Sequence, residues 1–241
     1  MFSRRESLRV RLQSLTLATA GAALLAPTTV PAAAVPPGQE HAAHSEGSVT
    51  ATDLLDRVRT CTQVSKGRYR TDGGGSATVP VCGTRKAVFW KADLDVDCDG
   101  RPTTRCNRRT DPLFSAATAY QQSDGRHLNA ESLPYIVIPA PSGIWDPSAQ
   151  GIRGGAVAAV IYHDRVRYAV VGDTGPRDII GEASYATARG LGIHPDPRNG
   201  GVPSGVTYIV FKDSKVAPIE DHRAAVEMGE RLAREFVEAQ K

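Results

Sequence analysis

The stretch from Val166 to Gly192 constrains the fold more than any other part of the chain. Val166 to Val171 is β-branched and aromatic and predicts a strand. Gly172, Thr174, Gly175 and Pro176 predict a tight loop at its end, with Asp173 presented to solvent in the break. Glu182 follows nine residues later, and Ser184 predicts the cap of a helix through Ala186 and Ala188 to Leu191, stopped by Gly192. Upstream, the run from Ala156 to Tyr162 predicts a hairpin partner joined across His163, Asp164 and Arg165, with His163 as a turn residue. Leu133–Pro139 and Gly205–Phe211 predict further strands. Many short strands, proline and glycine turns and few helices make the chain mainly β, a sandwich or a barrel.

Asp173 and Glu182 have the residue types that glycosidic hydrolysis needs. One carboxyl group protonates the leaving oxygen, and the other activates water or attacks the sugar. A plainer reading also fits: Asp173 satisfies N–H groups of its own turn, and Glu182 is a solvated residue at a helix start. A second acidic feature lies at Phe89–Gly100. Ala92, Leu94, Val96 and Cys98 alternate with Asp93, Asp95, Asp97 and Asp99, which predicts a strand with an apolar face and a row of carboxylates roughly 6.6 Å apart. Such a row requires a cationic partner. Asp95-x-Asp97-x-Asp99-Gly100 begins like a calcium-binding EF-hand loop, but Cys106 stands where the bidentate glutamate is needed, which disfavours an EF-hand and leaves a looser calcium site open. Arg101, Arg105, Arg108 and Arg109 could neutralise the row, and so could a polycationic ligand.

Residues 1–34 have the form of a secretory signal: Arg4, Arg5, Arg9 and Arg11, an apolar run from Leu15 to Ala26, and Ala32-Ala33-Ala34 as a cleavage site. Ser3–Leu8 resembles a twin-arginine export signal apart from Ser7, so that route and the general secretory route are both open. No stretch is long enough for a membrane span. Of the 29 basic and 26 acidic residues, four and one lie in the signal, leaving 25 of each and no call for nucleic acid. Residues 35–50 predict a disordered linker, in which His41 and His44 carry no metal site. Residues 51–241 predict one domain, with Thr52 capping a first helix and Pro218 opening a last one. That last helix presents Val226, Gly229, Leu232, Ala233, Phe236 and Val237 to the core, with Glu230 on the opposite face. Four cysteines in a secreted chain predict disulfides, and short loops favour Cys61–Cys82 and Cys98–Cys106. Trp145, in a Pro/Gly/Ser loop, fits either a sugar-stacking platform or a plug at the domain edge.

Gly172-Asp173-x-Gly175-Pro176, the spacing to Glu182, and Gly181-Glu182-x-Ser184 together resemble the signature of glycoside hydrolase family 75, the chitosanases; the Asp95-x-Asp97-Cys98-Asp99-Gly100 run resembles the family's pattern too. The resemblance extends from about Cys82 to the region of Phe211. The same stretch, through Ser184, Ala186, Ala188, Leu191 and Gly192, resembles more distantly the double-psi β-barrels of the rare lipoprotein A family, where an aspartate stands in place of Glu182. The barrel resemblance implies a six-stranded double-psi-like β-barrel with a few peripheral helices. The family resemblance implies an inverting endo-chitosanase that cleaves chitosan, with Asp173 and Glu182 as the catalytic pair. By analogy with barrel glycan-cleaving enzymes, Asp173 is expected as the acid and Glu182 as the base. Asp93, Asp95, Asp97 and Asp99 are expected to bind substrate ammonium groups. The enzyme is expected to be a secreted monomer with no cofactor and no metal. Two alternatives remain: a lytic transglycosylase-like enzyme on peptidoglycan, and a non-catalytic glycan-binding barrel.

Overall fold

A computed structural model describes residues 45–239. The expected signal, most of the expected linker, and His41 and His44 lie outside the described residues. Seven strands form one sheet: β1 (Cys82–Gly83), β2 (Ala87–Asp97), β3 (Tyr135–Pro139), β4 (Val157–Tyr162), β5 (Arg165–Gly175), β6 (Glu182–Ser184) and β7 (Val202–Phe211). Six of them close in the order β2-β6-β3-β5-β4-β7, with β7 returning to β2, and β1 pairs outside the ring. The closed six-stranded barrel is therefore observed, and closure leaves the ring without an open edge. Pairing is parallel between β2 and β6 and between β3 and β5, and antiparallel elsewhere.

Strand alternation builds two cores. Val88, Trp90, Ala92, Leu94, Ile136, Ala158, Val160, Ala169, Val171, Tyr208 and Val210 fill the barrel interior. Among them Trp90 stacks on Tyr208 with ring centroids 5.3 Å apart. Trp145 is buried and packs edge-on to Trp90 at 6.4 Å, so it serves the core and offers no face to a sugar. The alternate residues Phe89, Val157, Ala159, Ile161, Val166, Tyr168, Val170 and Ile209 face outward under the helices α1 (Ala51–Asp56) and α3 (His222–Glu238). His163 sits at the β4–β5 tip with φ 54°, as a turn residue should.

Several expectations are corrected in detail. Thr50 caps α1, not Thr52, in a reciprocal capping box with Asp53. Asp221 caps α3 by accepting the Ala224 N–H, so Pro218 lies in the preceding turn. Glu230 is buried on α3, where it accepts hydrogen bonds from Ser48 and from Tyr168 Oη. That contact belongs to a segment expected to be linker. Residues 45–50 pack on the domain, with Glu46 paired to Arg167 and to His222 Nε2. The disulfides are Cys61–Cys82 and Cys98–Cys106, as expected, with Cα–Cα distances of 5.1 and 4.9 Å. No described helix is long and apolar enough to cross a membrane.

The third helix, α2 (Tyr185–Gly190), is capped by Ser184 as expected. The Ser184 hydroxyl accepts the Tyr135 N–H at 3.0 Å and the Thr187 N–H at 3.2 Å, and donates to the Leu133 carbonyl at 2.9 Å. One buried oxygen thus joins β3, β6 and α2. Ser184→Ala is expected to cost about 2 kcal/mol or more, a lost cap plus orphaned buried groups, read as a lower midpoint in urea unfolding at unchanged slope.

Candidate active site

Asp173 does not sit in a loop beyond the strand. β5 continues through it to Gly175, because Gly172 forms a bulge that the local turn chemistry does not reveal. β3 pairs Ile136 with Val171 and then Val137 with Asp173, so Gly172 is the extra residue. A Cβ on Gly172 would lie 2.6 Å from Tyr135 Cβ, so glycine is required there. The bulge changes the phase of the strand. Val171 faces the barrel interior, whereas Asp173 two residues later takes the outer face beside Tyr135.

Val137 pairs on its other side with Glu182. Asp173 and Glu182 therefore flank one residue of β3 on one face, two strand spacings or roughly 9–10 Å apart at Cα. The expectation of two loop carboxylates is corrected to two strand carboxylates, held by the barrel's own hydrogen bonding. Glu182 in turn pairs in register with Asp95 of β2.

The long connection from β2 to β3 closes over this face. It is stapled by Cys98–Cys106 and by the bridges Gly100 to Asn129 and Gln121 to His127. From it the Ala119 N–H reaches Asp173 Oδ1 at 2.7 Å, and the Thr174 N–H donates to the same oxygen at 2.7 Å. Burial raises the Asp173 carboxyl above its ordinary range, and those two N–H groups, with His127 nearby, oppose the rise. Glu182 has no such help. Burial first, then Asp95, Asp99, Asp173 and Asp111, push it up to about 7. The two carboxyl groups thus differ in surroundings, one supported as an anion and the other pressed toward its neutral form.

The acidic row divides. Its alternation holds from Ala92 to Asp97, where β2 ends, and Cys98 and Asp99 lie beyond it. Asp97 is buried behind Glu182; its carboxyl is raised by burial and by Glu182, and its Oδ1 accepts the Asp99 N–H at 2.6 Å. Asp99 is partly buried; it accepts the Ser115 N–H at 2.7 Å, and its carboxyl is pushed up to about 6, chiefly by burial. Asp93 and Asp95 instead gather with Asp72, near the Asp95–Glu182 pairing. A uniform solvent-facing row is therefore not what forms: Asp95 is exposed and Asp99 partly so, but Asp93 and Asp97 are buried. No ion pair joins the row to Arg101, Arg105, Arg108 or Arg109 among the described residues.

Sequence reasoning missed Tyr135, whose hydroxyl donates to the Asp99 carbonyl at 3.0 Å, and the Ala119 N–H. It also missed Tyr120, His127, Asp111 and Asp72. Each reaches the acidic face only through the folding of an irregular segment, and none carries a local pattern that announces it.

A closed barrel that sets two carboxyl groups on either side of one strand, in unlike surroundings, has the pair of groups that a glycoside hydrolase uses. A family model described as the fungal chitosanase of glycosyl hydrolase group 75 matches residues 94–239. The chain belongs to glycoside hydrolase family 75, and the match covers every acidic residue of the site apart from Asp72 and Asp93. Endo-chitosanase B of Aspergillus oryzae is 28% identical over 195 residues, covering 70% of this chain and 81% of that protein. Endo-chitosanase of Aspergillus fumigatus is 27% identical over 173 residues, covering 66% and 73%. Endo-chitosanase C of Aspergillus oryzae is 34% identical over 133 residues, covering 54% of this chain and only 32% of that longer protein.

Proposed function

We propose that this protein is a secreted, monomeric endo-chitosanase that hydrolyses β-1,4 bonds between glucosamine units with inversion. The observation that carries the reading is the placement of Asp173 and Glu182 on either side of Val137, facing the same way. Their Cα separation suits carboxyl groups about 6.5–9.5 Å apart, which leaves room for a water molecule below the sugar. The surroundings support the reverse of the expected roles. Glu182, crowded by carboxylates, keeps its proton and gives it to the leaving oxygen. Asp173, with Oδ1 held by two N–H groups, stays ionised and takes a proton from the attacking water through its other oxygen.

Chitosan carries an ammonium group on each deacetylated sugar, and the acidic face supplies the complementary field. Of the four aspartates expected to meet those groups, Asp95 and Asp99 keep contact with solvent; Asp93 and Asp97 are buried and pressed toward their neutral form, so they are not placed to meet a substrate ammonium. The two disulfides support an extracellular site of action.

The test is hydrolysis of soluble, highly deacetylated chitosan, followed by reducing-end assay and by proton NMR of the first product. New reducing ends appearing first as the α-anomer are expected. Binding without release would leave a glycan-binding barrel, an anhydro product would indicate transglycosylase chemistry, and a first-formed β-anomer would show retention.

A further inference from the structure

We infer that Asp72, Asp93 and Asp95 form a binding site for a hard divalent cation, calcium by its chemistry, which clamps the loop carrying Asp72 to β2. One carboxylate oxygen from each residue lies within 4.8 Å of the others. That spread matches a single ion with oxygen ligands at roughly 2.4 Å, the usual calcium distance. The donor set is oxygen alone, which selects calcium, magnesium or manganese over the metals that histidine and cysteine hold.

Three carboxylates drawn together would by themselves be an ordinary acidic patch. The second observation is Asp93. Its side chain is 3% exposed, and its Oδ1 is buried with no hydrogen-bond partner. Beside it Gly181, at φ 120°, leaves no room for a Cβ, which would stand 1.8 Å from that oxygen. A charged carboxylate with one oxygen buried and unpartnered is costly, and a cation bound at that oxygen would offset the cost. No lysine or arginine does so. Among the described residues none makes an ion pair with Asp72, Asp93 or Asp95, and Arg70 near Asp72 is engaged with Asp178 at 3.2 Å. Asp72 is exposed on the turn between the paired residues Tyr69 and Val79, followed by Gly73, Gly74 and Gly75. Such a loop adapts to the loose geometry of calcium more readily than to the strict octahedron of magnesium, and water and backbone carbonyls would complete the shell.

These residues differ from the Asp95-x-Asp97-x-Asp99 spacing of an EF-hand, since Asp97 turns toward Glu182. The ion would also claim Asp95, leaving Asp99 as the solvent-facing aspartate of the row for substrate. The inference stands whether or not the protein cleaves chitosan.

The test is the melting temperature of the purified protein, stripped with chelator and titrated with calcium chloride, for the wild type and for Asp72→Asn and Asp93→Asn. At 100 times the dissociation constant the wild type is expected to gain roughly 5–10 °C. Asp72→Asn, at an exposed position, is expected to fold as the wild type does and to lose most of that gain. The absence of a calcium shift in the wild type would overturn the inference, as would an equal shift in Asp72→Asn. A glucosamine tetramer is titrated in parallel. Stabilisation by the tetramer that depends on Asp72, with none from calcium, would overturn the metal in favour of an ammonium subsite.

Discussion

Glu182→Gln is expected to lower kcat on chitosan by about 10²- to 10⁴-fold, the usual range for a lost general acid, with the fold intact. Asp173→Asn is expected to do the same, but the two variants should separate on other substrates. An activated aryl glycoside has a leaving group that needs little protonation. Glu182→Gln should recover much of its rate on such a substrate, and Asp173→Asn should not. Azide can replace the water that Asp173 activates, so it should accelerate Asp173→Asn alone. The opposite pattern would restore the assignment of Asp173 as acid, and a fully active, folded Glu182→Gln would remove the pair altogether. Stability should move the other way from activity. The Glu182 carboxyl is raised to about 7 from an ordinary value of 4.5, so its ionised form weakens the fold. That penalty is absent at pH 4, grows between about 4.5 and 7, and then levels. Glu182→Gln should therefore melt higher than the wild type at pH 8 and no higher at pH 4, with chelator present in both.

Gly172→Ala is expected to abolish most activity and to lower the melting temperature. Its Cβ would stand 2.6 Å from Tyr135 Cβ and 2.8 Å from Leu128 Cδ1, both in fully buried residues that cannot move aside. Overpacking of this kind costs about 1–3 kcal/mol. The larger effect is on geometry, since the bulge is what places Asp173 opposite Val137. A displacement of about 1 Å at a reacting group can cost 10²-fold in rate. The protein that remains folded, judged by circular dichroism, should therefore be at least that much slower. Gly143→Ala is the control: nothing lies within 4 Å of its added Cβ. It should change neither property by more than about 0.5 kcal/mol in free energy. Equal activities per folded molecule for Gly172→Ala and the wild type would refute the role given to the bulge.

Local pattern was enough to read the β4–β5 hairpin, the Ser184 cap, the alternation from Ala92 to Asp97 and the four-cysteine pairing. Each depends on side chains a few residues apart or on short loop closure, which composition and spacing express directly. Asp173 and Glu182 were legible as candidates because glycine, proline and carboxyl groups gather there, and the family resemblance then singled them out. Their relation in space was not legible. It depends on β3, some forty residues upstream, pairing with β5 on one side and β6 on the other. The burial of Asp93 and Asp97, the Ala119 N–H on Asp173 and the approach of Asp72 to β2 likewise arise only when distant segments close over one face. Residue type and periodicity therefore determined that this chain is mainly β, a sandwich or a barrel, with a strand rich in carboxylates, and the resemblance to double-psi barrels selected the barrel. Tertiary structure alone decided which carboxyl groups are supported as anions, which are pressed together, and which are left to be neutralised, because charge interactions depend on distance and burial and neither is written along the chain.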